Sequence, residues 1–237
     1  MAGQATPSQG VTATILAQID ALFAAPLPED VIEWAQHGVL DWLGGALAGA
    51  EDALTLALRD EARDEGGRPV ATVLFHGEKT SAALAALVNG SMADALDFSD
   101  ANPNMHGHTT PAIVAAALAV AEAKGASGRA LLEAIVVGIE IACRVGLLAH
   151  GRLHPGGFHP TGTTVVFGAA AAAAHLLGLD ARQRAHALGL AATQGAGLVA
   201  SAGSMAKPFH SGKAAMNGIL AASLAARGFT GRPDAIE

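Results

Sequence analysis

Apolar residues recur at helical spacing from the first turns of the chain onward. Ile15, Ile19, Leu22 and Phe23 follow an i, i+4, i+7 pattern and predict a helix over residues 11–24. Leu27-Pro28-Glu29-Asp30 starts the next one, because proline and acidic side chains suit a first helical turn. This second helix runs to about Ala48 and carries Val31, Ile32, Ala35, Val39, Trp42 and Leu43 on one face. Residues 51–65 predict a more polar helix closed by Gly66-Gly67. Residues 70–75 are the one convincing strand signal, short and β-branched, fit for a small hairpin or a sheet edge.

From Thr80 onward the pattern is helix after helix, with breaks at Gly, Pro or Asn. The spacing predicts helices over 81–96, 111–124, 128–150, 162–177, 181–198 and 212–227. Ser127 and Asp180 stand where N-caps belong, and Gly125, Gly178 and Gly228 where glycines follow helix ends. Nearly a quarter of the residues are alanine and 29 are glycine. Small side chains let helix axes approach closely, and an uncharged run such as Ala169 to Ala174 implies burial on most sides. The fold class expected is all-α: a compact bundle of closely packed Ala/Gly-rich helices with at most one short β-hairpin. No repeat or linker divides residues 1–237, which read as one domain, with residues 1–10 expected to be disordered.

Composition narrows the function. With 51% hydrophobic and 15% charged residues over 237 positions, the chain can bury a core without a metal or disulfide staple. A net charge of −7 argues against a nucleic-acid binder, which needs clustered Lys and Arg. Cys143 is the single cysteine, so no disulfide framework and no Cys-ligated iron–sulfur cluster can form. The charge-free stretch 153–179 is interrupted by Pro155, Pro160 and several glycines, and residues 131–149 carry Glu133, Glu140 and Arg144, so neither reads as a membrane span. Met1 to Pro7 lacks the basic and apolar regions of a signal peptide, and the cytoplasm is the expected compartment.

The chain has ten histidines, and His106, His108, His154, His159 and His210 all lie in or beside Gly/Pro-rich breaks, where a rigid scaffold presents binding groups. In 95–108 a helix ends in acidic residues and runs into a polar loop with two histidines, which is either a frayed, solvated turn or a site in which Asp97 orients an imidazole. In 156–164 a Gly-rich segment precedes a helix start, either a plain capping loop or an anion site. In 194–213 two of the four lysines, Lys207 and Lys213, flank His210 among apolar neighbours, either in a solvated loop or with a partly buried ammonium suited to a carboxylate. His108 with Asp97, Asp100 and His159 is too loosely spaced to read as a metal centre, and none is expected. His37, His76, His150, His175, His186 and Cys143 read as structural.

Jointly these segments resemble the MmgE/PrpD family. The resemblance rests on Ala71-Thr72-Val73-Leu74, Ala85-Ala86-Leu87-Val88-Asn89-Gly90, Ala95-Leu96-Asp97-Phe98-Ser99-Asp100 and Gly107-His108-Thr109-Thr110-Pro111. It continues through Gly157-Phe158-His159-Pro160-Thr161-Gly162, Phe167-Gly168-Ala169-Ala170-Ala171-Ala172, Ala187-Leu188-Gly189-Leu190-Ala191 and Lys207-Pro208-Phe209-His210-Ser211-Gly212-Lys213-Ala214-Ala215, in the family's order from about Val31 to Glu237.

The family includes 2-methylcitrate dehydratase, cis-aconitate decarboxylase and an iminodisuccinate epimerase. The resemblance implies a lyase or isomerase without metal or organic cofactor, moving a proton next to a carboxylate of a small di- or tricarboxylate. It implies Asp97, His108, His159 and Lys207 as catalytic residues. Lys207 and His159 would also hold substrate carboxylates, with His210 and Lys213 as adjacent binding candidates, and the loops would converge into one cationic pocket. Two departures stand out: Ser99 replaces an acidic residue, and Ala101 replaces a substrate-binding hydroxyl. The family is homodimeric and covers its site with an α/β lid domain, which would begin near Gly228 to Pro233. The implied partners are therefore a second copy or a chain supplying the lid; the alternative is a lid-less helical scaffold, inactive on its own.

Overall fold

The computed structural model describes residues 10–22 and 25–237. The end of the first expected helix, at 23–24, and residues 1–9 of the expected N-terminal disorder lie outside the described residues. The architecture is an all-α bundle with one small hairpin. Helices α1 (Val11–Leu22), α2 (Glu29–Gly49) and α3 (Ala53–Glu65) precede strands β1 (Ala71–Val73) and β2 (Glu78–Thr80). Then come α4 (Ala82–Asp94), α5 (Thr110–Lys124), α6 (Gly128–Leu148), α7 (Pro160–Thr163), α8 (Val165–Leu176), α9 (Ala181–Ala192) and α10 (Ala206–Ala226).

The ends follow the local code. Ser127 accepts from the Ala130 amide, Asp180 forms a capping box with Gln183, and Gly125, Gly178 and Gly228 take positive φ. Three elements differ from the spacing pattern. Residues 162–177 break at Thr164 into α7 and α8, α9 stops at Ala192, and α10 begins at Ala206 instead of Gly212. Lys207 and His210 therefore ride on the first turns of a helix. Gly212, which looks like a start signal, lies inside α10 because its missing side chain is needed at a helix crossing.

That crossing organises the molecule. Helices α4, α5 and α8 are buried over nearly their whole length, and α10 packs on all three. A Cβ on Gly212 would lie 2.0 Å from the Leu87 carbonyl oxygen, and one on Gly90 would lie 3.0 Å from the Gly212 Cα. A second crossing, of α6 with α8, places Gly138 and Gly168 each against the other's carbonyl oxygen. Backbone cannot yield as a side chain does, so Gly212→Ala is expected to cost about 1–3 kcal/mol by forcing α4 and α10 apart, read as a fall in the midpoint of chemical denaturation.

The hairpin is short because its outer edge is closed by side chains. β1 pairs antiparallel with β2, Ala71 opposite Thr80 and Val73 opposite Glu78. On its other side Asn89 of α4 accepts from the Leu74 amide at 3.0 Å and donates to the Thr72 carbonyl at 2.8 Å, while Glu122 takes the Thr72 amide at 2.6 Å. These groups stand in for a third strand and leave no open edge there. Asn89, part of a motif that carries the family resemblance, thus serves the fold.

Candidate functional site

Crossing at Gly90 and Gly212 brings the end of α4 against the start of α10, and there the polar residues gather. Asp94, in the last turn of α4, is fully buried yet carries a carboxylate. It accepts from Ser99 Oγ at 2.8 Å, Ser211 Oγ at 2.8 Å and Lys207 Nζ at 3.4 Å. A buried carboxylate is tolerated only when paired and bonded in this way. Lys207 is itself mostly covered, its side chain 17% exposed, and it donates to Asp97 Oδ1 at 2.5 Å. The two carboxylates hold the ammonium between them.

The loop from α4 to α5 carries the rest. Asp97 sits at φ 58°, a left-handed position usually given to glycine after a helix end, and its amide donates to the Asp94 carbonyl. The hydrogen bond from Lys207 holds its carboxyl below the usual range, with the nearby ammonium, His108 and His159 adding to the effect. Asp100 clamps the start of α5, accepting from the amide and hydroxyl of both Thr109 and Thr110. His108 Nδ1 lies 2.8 Å from the Asp100 carbonyl oxygen and 3.1 Å from Ser99 Oγ. A carbonyl oxygen only accepts, so Nδ1 carries the proton and Nε2 is the nitrogen left for chemistry. Nε2 lies 3.5 Å from Asp97 Oδ1, which is placed to stabilise a charged ring.

His159 comes from the opposite side. Its amide donates to the Gly197 carbonyl at 3.0 Å, and the Val199 amide donates to the Gly157 carbonyl at 3.0 Å, so 157–163 and 196–199 zip together beside α10. The imidazole of His159 meets that of His210 with Nδ1 to Nδ1 at 3.0 Å. Burial pushes His159 down to about 4, helped by His210, Lys207, His108 and His154; burial and Lys207 also lower His210, against a smaller opposing pull from Asp94.

This shift has a consequence for stability. The folded value of His159 lies below its ordinary 6.5, so the unfolded chain binds the proton first. Stability is unaffected above pH 6.5, falls as the pH drops toward about 4, and levels off below it. His159→Gln is expected to flatten this part of the melting-temperature profile, measured by circular dichroism.

The structure thus joins Lys207 and His108 through Asp97, with His159, paired to His210, close enough to act electrostatically on all three. Lys213 lies further along α10, half-buried, with no hydrogen bond or ion pair among the described residues. Of its two readings the 156–164 segment takes the capping loop and not the anion site, because the amides of 156–159 and 162–164 all donate to backbone carbonyls and Pro160 has no N–H. The pocket is not simply cationic either: Asp94 and Asp97 together outweigh the charge of Lys207. Asp94, Ser99 and Ser211 are the members that sequence reasoning missed. A lone acid in a helix otherwise uncharged from Ala82 to Ala93 was the available signal for Asp94.

Asp94, Asp97 and His108 each bring an atom within 4.8 Å of the others, a spacing a metal ion can bridge, and the Lys207 ammonium already bonds to two of the three. The cluster separates two open cavities. One of about 350 Å³ is lined by Asp94, Asp97, Lys207 and residues 203–205, and one of about 550 Å³ by His108, His106, His154 and Ala101. Phe98, Phe158, Leu198 and Met205, neighbours of these residues in the chain, are all exposed, Phe98 by 77%. Cys143 receives Asn102 Nδ2 at 3.1 Å, and burial pushes its thiol up to about 11, so it stays a structural residue.

At these helix ends an ammonium held by two carboxylates lies next to an imidazole of fixed tautomer. Among known proteins, the MmgE/PrpD N-terminal domain matches residues 13–237, and the chain belongs to that family. It is 32% identical to the cis-aconitate decarboxylase-like protein oryM of Aspergillus oryzae, over 95% of this chain and 49% of that protein. It is 30% identical to human cis-aconitate decarboxylase, over 97% of this chain and 49% of the enzyme, and 30% identical to that of Aspergillus terreus, over 96% and 48%. The chain therefore spans about half the length of the curated relatives it matches. Among the described residues no helix is long and apolar enough to cross a membrane.

Proposed function

We propose that this chain provides the helical part of a cofactor-independent lyase site that removes or delivers a proton next to a carboxylate of a small tricarboxylate, with cis-aconitate the leading candidate. The observation that carries this reading is the contact of Lys207 with Asp97 beside the open Nε2 of His108. On binding, a substrate carboxylate takes the place of Asp97 on Lys207, which polarises it, and His108 Nε2 exchanges the proton. His159 and His210 hold a second carboxylate, and Lys213 stands by for a distal one. The family resemblance extends the reaction class to dehydration and epimerisation, so citrate-like and aspartate-derived acids belong in the same screen.

A second reading has its own support. The exposed Phe98, Phe158, Leu198 and Met205 border a polar site that is open to water, as a scaffold awaiting a lid would be. Helix α2 likewise exposes Trp34, Leu40 and Leu47, at 74%, 69% and 61%. Homodimerisation, or association with a chain that supplies the lid, would cover such surfaces.

The test is incubation of the chain with cis-aconitate and related acids in heavy water, following deuterium incorporation and carbon dioxide release, with light scattering on the same sample. Exchange or decarboxylation together with an assembly larger than a monomer supports the catalytic reading. A monodisperse monomer that exchanges none of the acids tried leaves the scaffold reading standing.

A further inference from the structure

We propose that His159 and His210 work as a single proton-sharing pair that takes up one proton when a polycarboxylate binds, His210 acting as the positioning residue that sets the hydrogen-bonding state of His159. This rests on the functional reading above.

The argument starts from geometry. Two Nδ1 atoms 3.0 Å apart, with ring centroids at 5.2 Å, form a good hydrogen bond only if one carries a proton and the other a lone pair. In the neutral pair the donor ring then has a bare Nε2 and the acceptor ring has its proton on Nε2. One further proton fits on the bare Nε2, making an imidazolium that donates to a neutral imidazole. A second would set two N–H groups against each other across the same gap. The capacity of the pair is therefore one proton.

The need for that proton comes from charge. Asp94 and Asp97 already outnumber Lys207, so a polyanion enters a site with no spare positive charge. The groups facing His159 are His210 and Lys207 of α10, Asp97 and His108 of the loop before α5 and His154 of the loop after α6; those facing His210 are Lys207 and, at the end of α4, Asp94. In the empty site burial and Lys207 keep the pair neutral. Ligand carboxylates reverse that balance; two bare Nε2 atoms can then accept, that of His108 and that of the pair, and loss of uptake on removing His210 assigns the proton to the pair. The backbone makes the arrangement stiff: the Gly197 carbonyl takes the His159 amide, and a Cβ on Gly197 would lie 3.2 Å from the His210 ring.

Two measurements decide the matter. In the ligand-free chain, nitrogen NMR of the imidazoles is expected to show one protonated and one bare Nδ1 across His159 and His210; two bare Nδ1 atoms overturn the pair. Calorimetric titration with cis-aconitate in buffers of different ionisation enthalpy is expected to show uptake of about one proton per ligand. His210→Phe is expected to lose that uptake and bind about tenfold more weakly; His210→Asn, which cannot carry the proton, serves if the Phe variant does not fold. Binding without uptake by the natural chain, or unchanged uptake in the variants, refutes the proposal while leaving the functional reading intact. Absence of any binding heat refutes the functional reading and the coupling with it, leaving the NMR result to decide whether the pair exists.

Discussion

Lys207→Met is expected to lower kcat/KM for the preferred acid by about 10² to 10³, the cost of removing one partner of a desolvated charge pair of roughly 3–4 kcal/mol. The same substitution damages the fold. It leaves the fully buried Asp94 with only the hydroxyls of Ser99 and Ser211, and an uncompensated buried charge costs about 3–5 kcal/mol. The two effects separate by combination. Lys207→Met with Asp94→Asn removes both charges and is expected to regain most of the lost stability, measured by urea denaturation, with no return of activity. Recovery of turnover in the double variant would mean that Lys207 matters only as a counter-ion to Asp94. Lys207→Arg keeps the charge, yet a planar fork does not fit between two carboxylates arranged around a point charge, so partial activity is the expected result.

His108→Asn is expected to reduce kcat by about 10² to 10⁴, the usual worth of a positioned acid or base, with KM changed much less. Asparagine offers an amide N–H to replace Nδ1 as donor to the Asp100 carbonyl, so the α4–α5 loop keeps its anchor. What it cannot replace is Nε2, the atom facing Asp97. Deuterium exchange into substrate is the readout that isolates this loss, because binding alone does not move it. A variant that exchanges at the natural rate would shift the proton-transfer role to His159.

Much of the scaffold was legible in the residues. The capping of α6 by Ser127 and of α9 by Asp180, and the glycines after α5, α8 and α10, depend on contacts within a few residues and follow from local sequence. The start of α10 was misjudged because Gly212 carries two meanings, a helix breaker in isolation and a gap for Leu87 at the crossing. The same ambiguity hid the setting of Lys207 and His210, which pattern alone placed in a loop.

The candidate site divides along the same line. Polar residues concentrated in Gly/Pro-rich breaks marked the segments, because side chains that can do chemistry stand out against alanine helices, and the family resemblance singled out Asp97, His108, His159 and Lys207 within them. Their partners were decided by the tertiary structure alone: Asp94 beneath Lys207, Ser99 between Asp94 and His108, and His210 against His159. These contacts join positions 51 to 113 residues apart, apart from those made by Ser99. Sequence by itself determined the helices, their small-residue faces and the stock of acid–base groups, since those follow from short-range spacing and composition. Which carboxylate meets which cation was settled only when α4 and α10 crossed, because electrostatic pairing depends on distance through space and burial, and neither is written in local order.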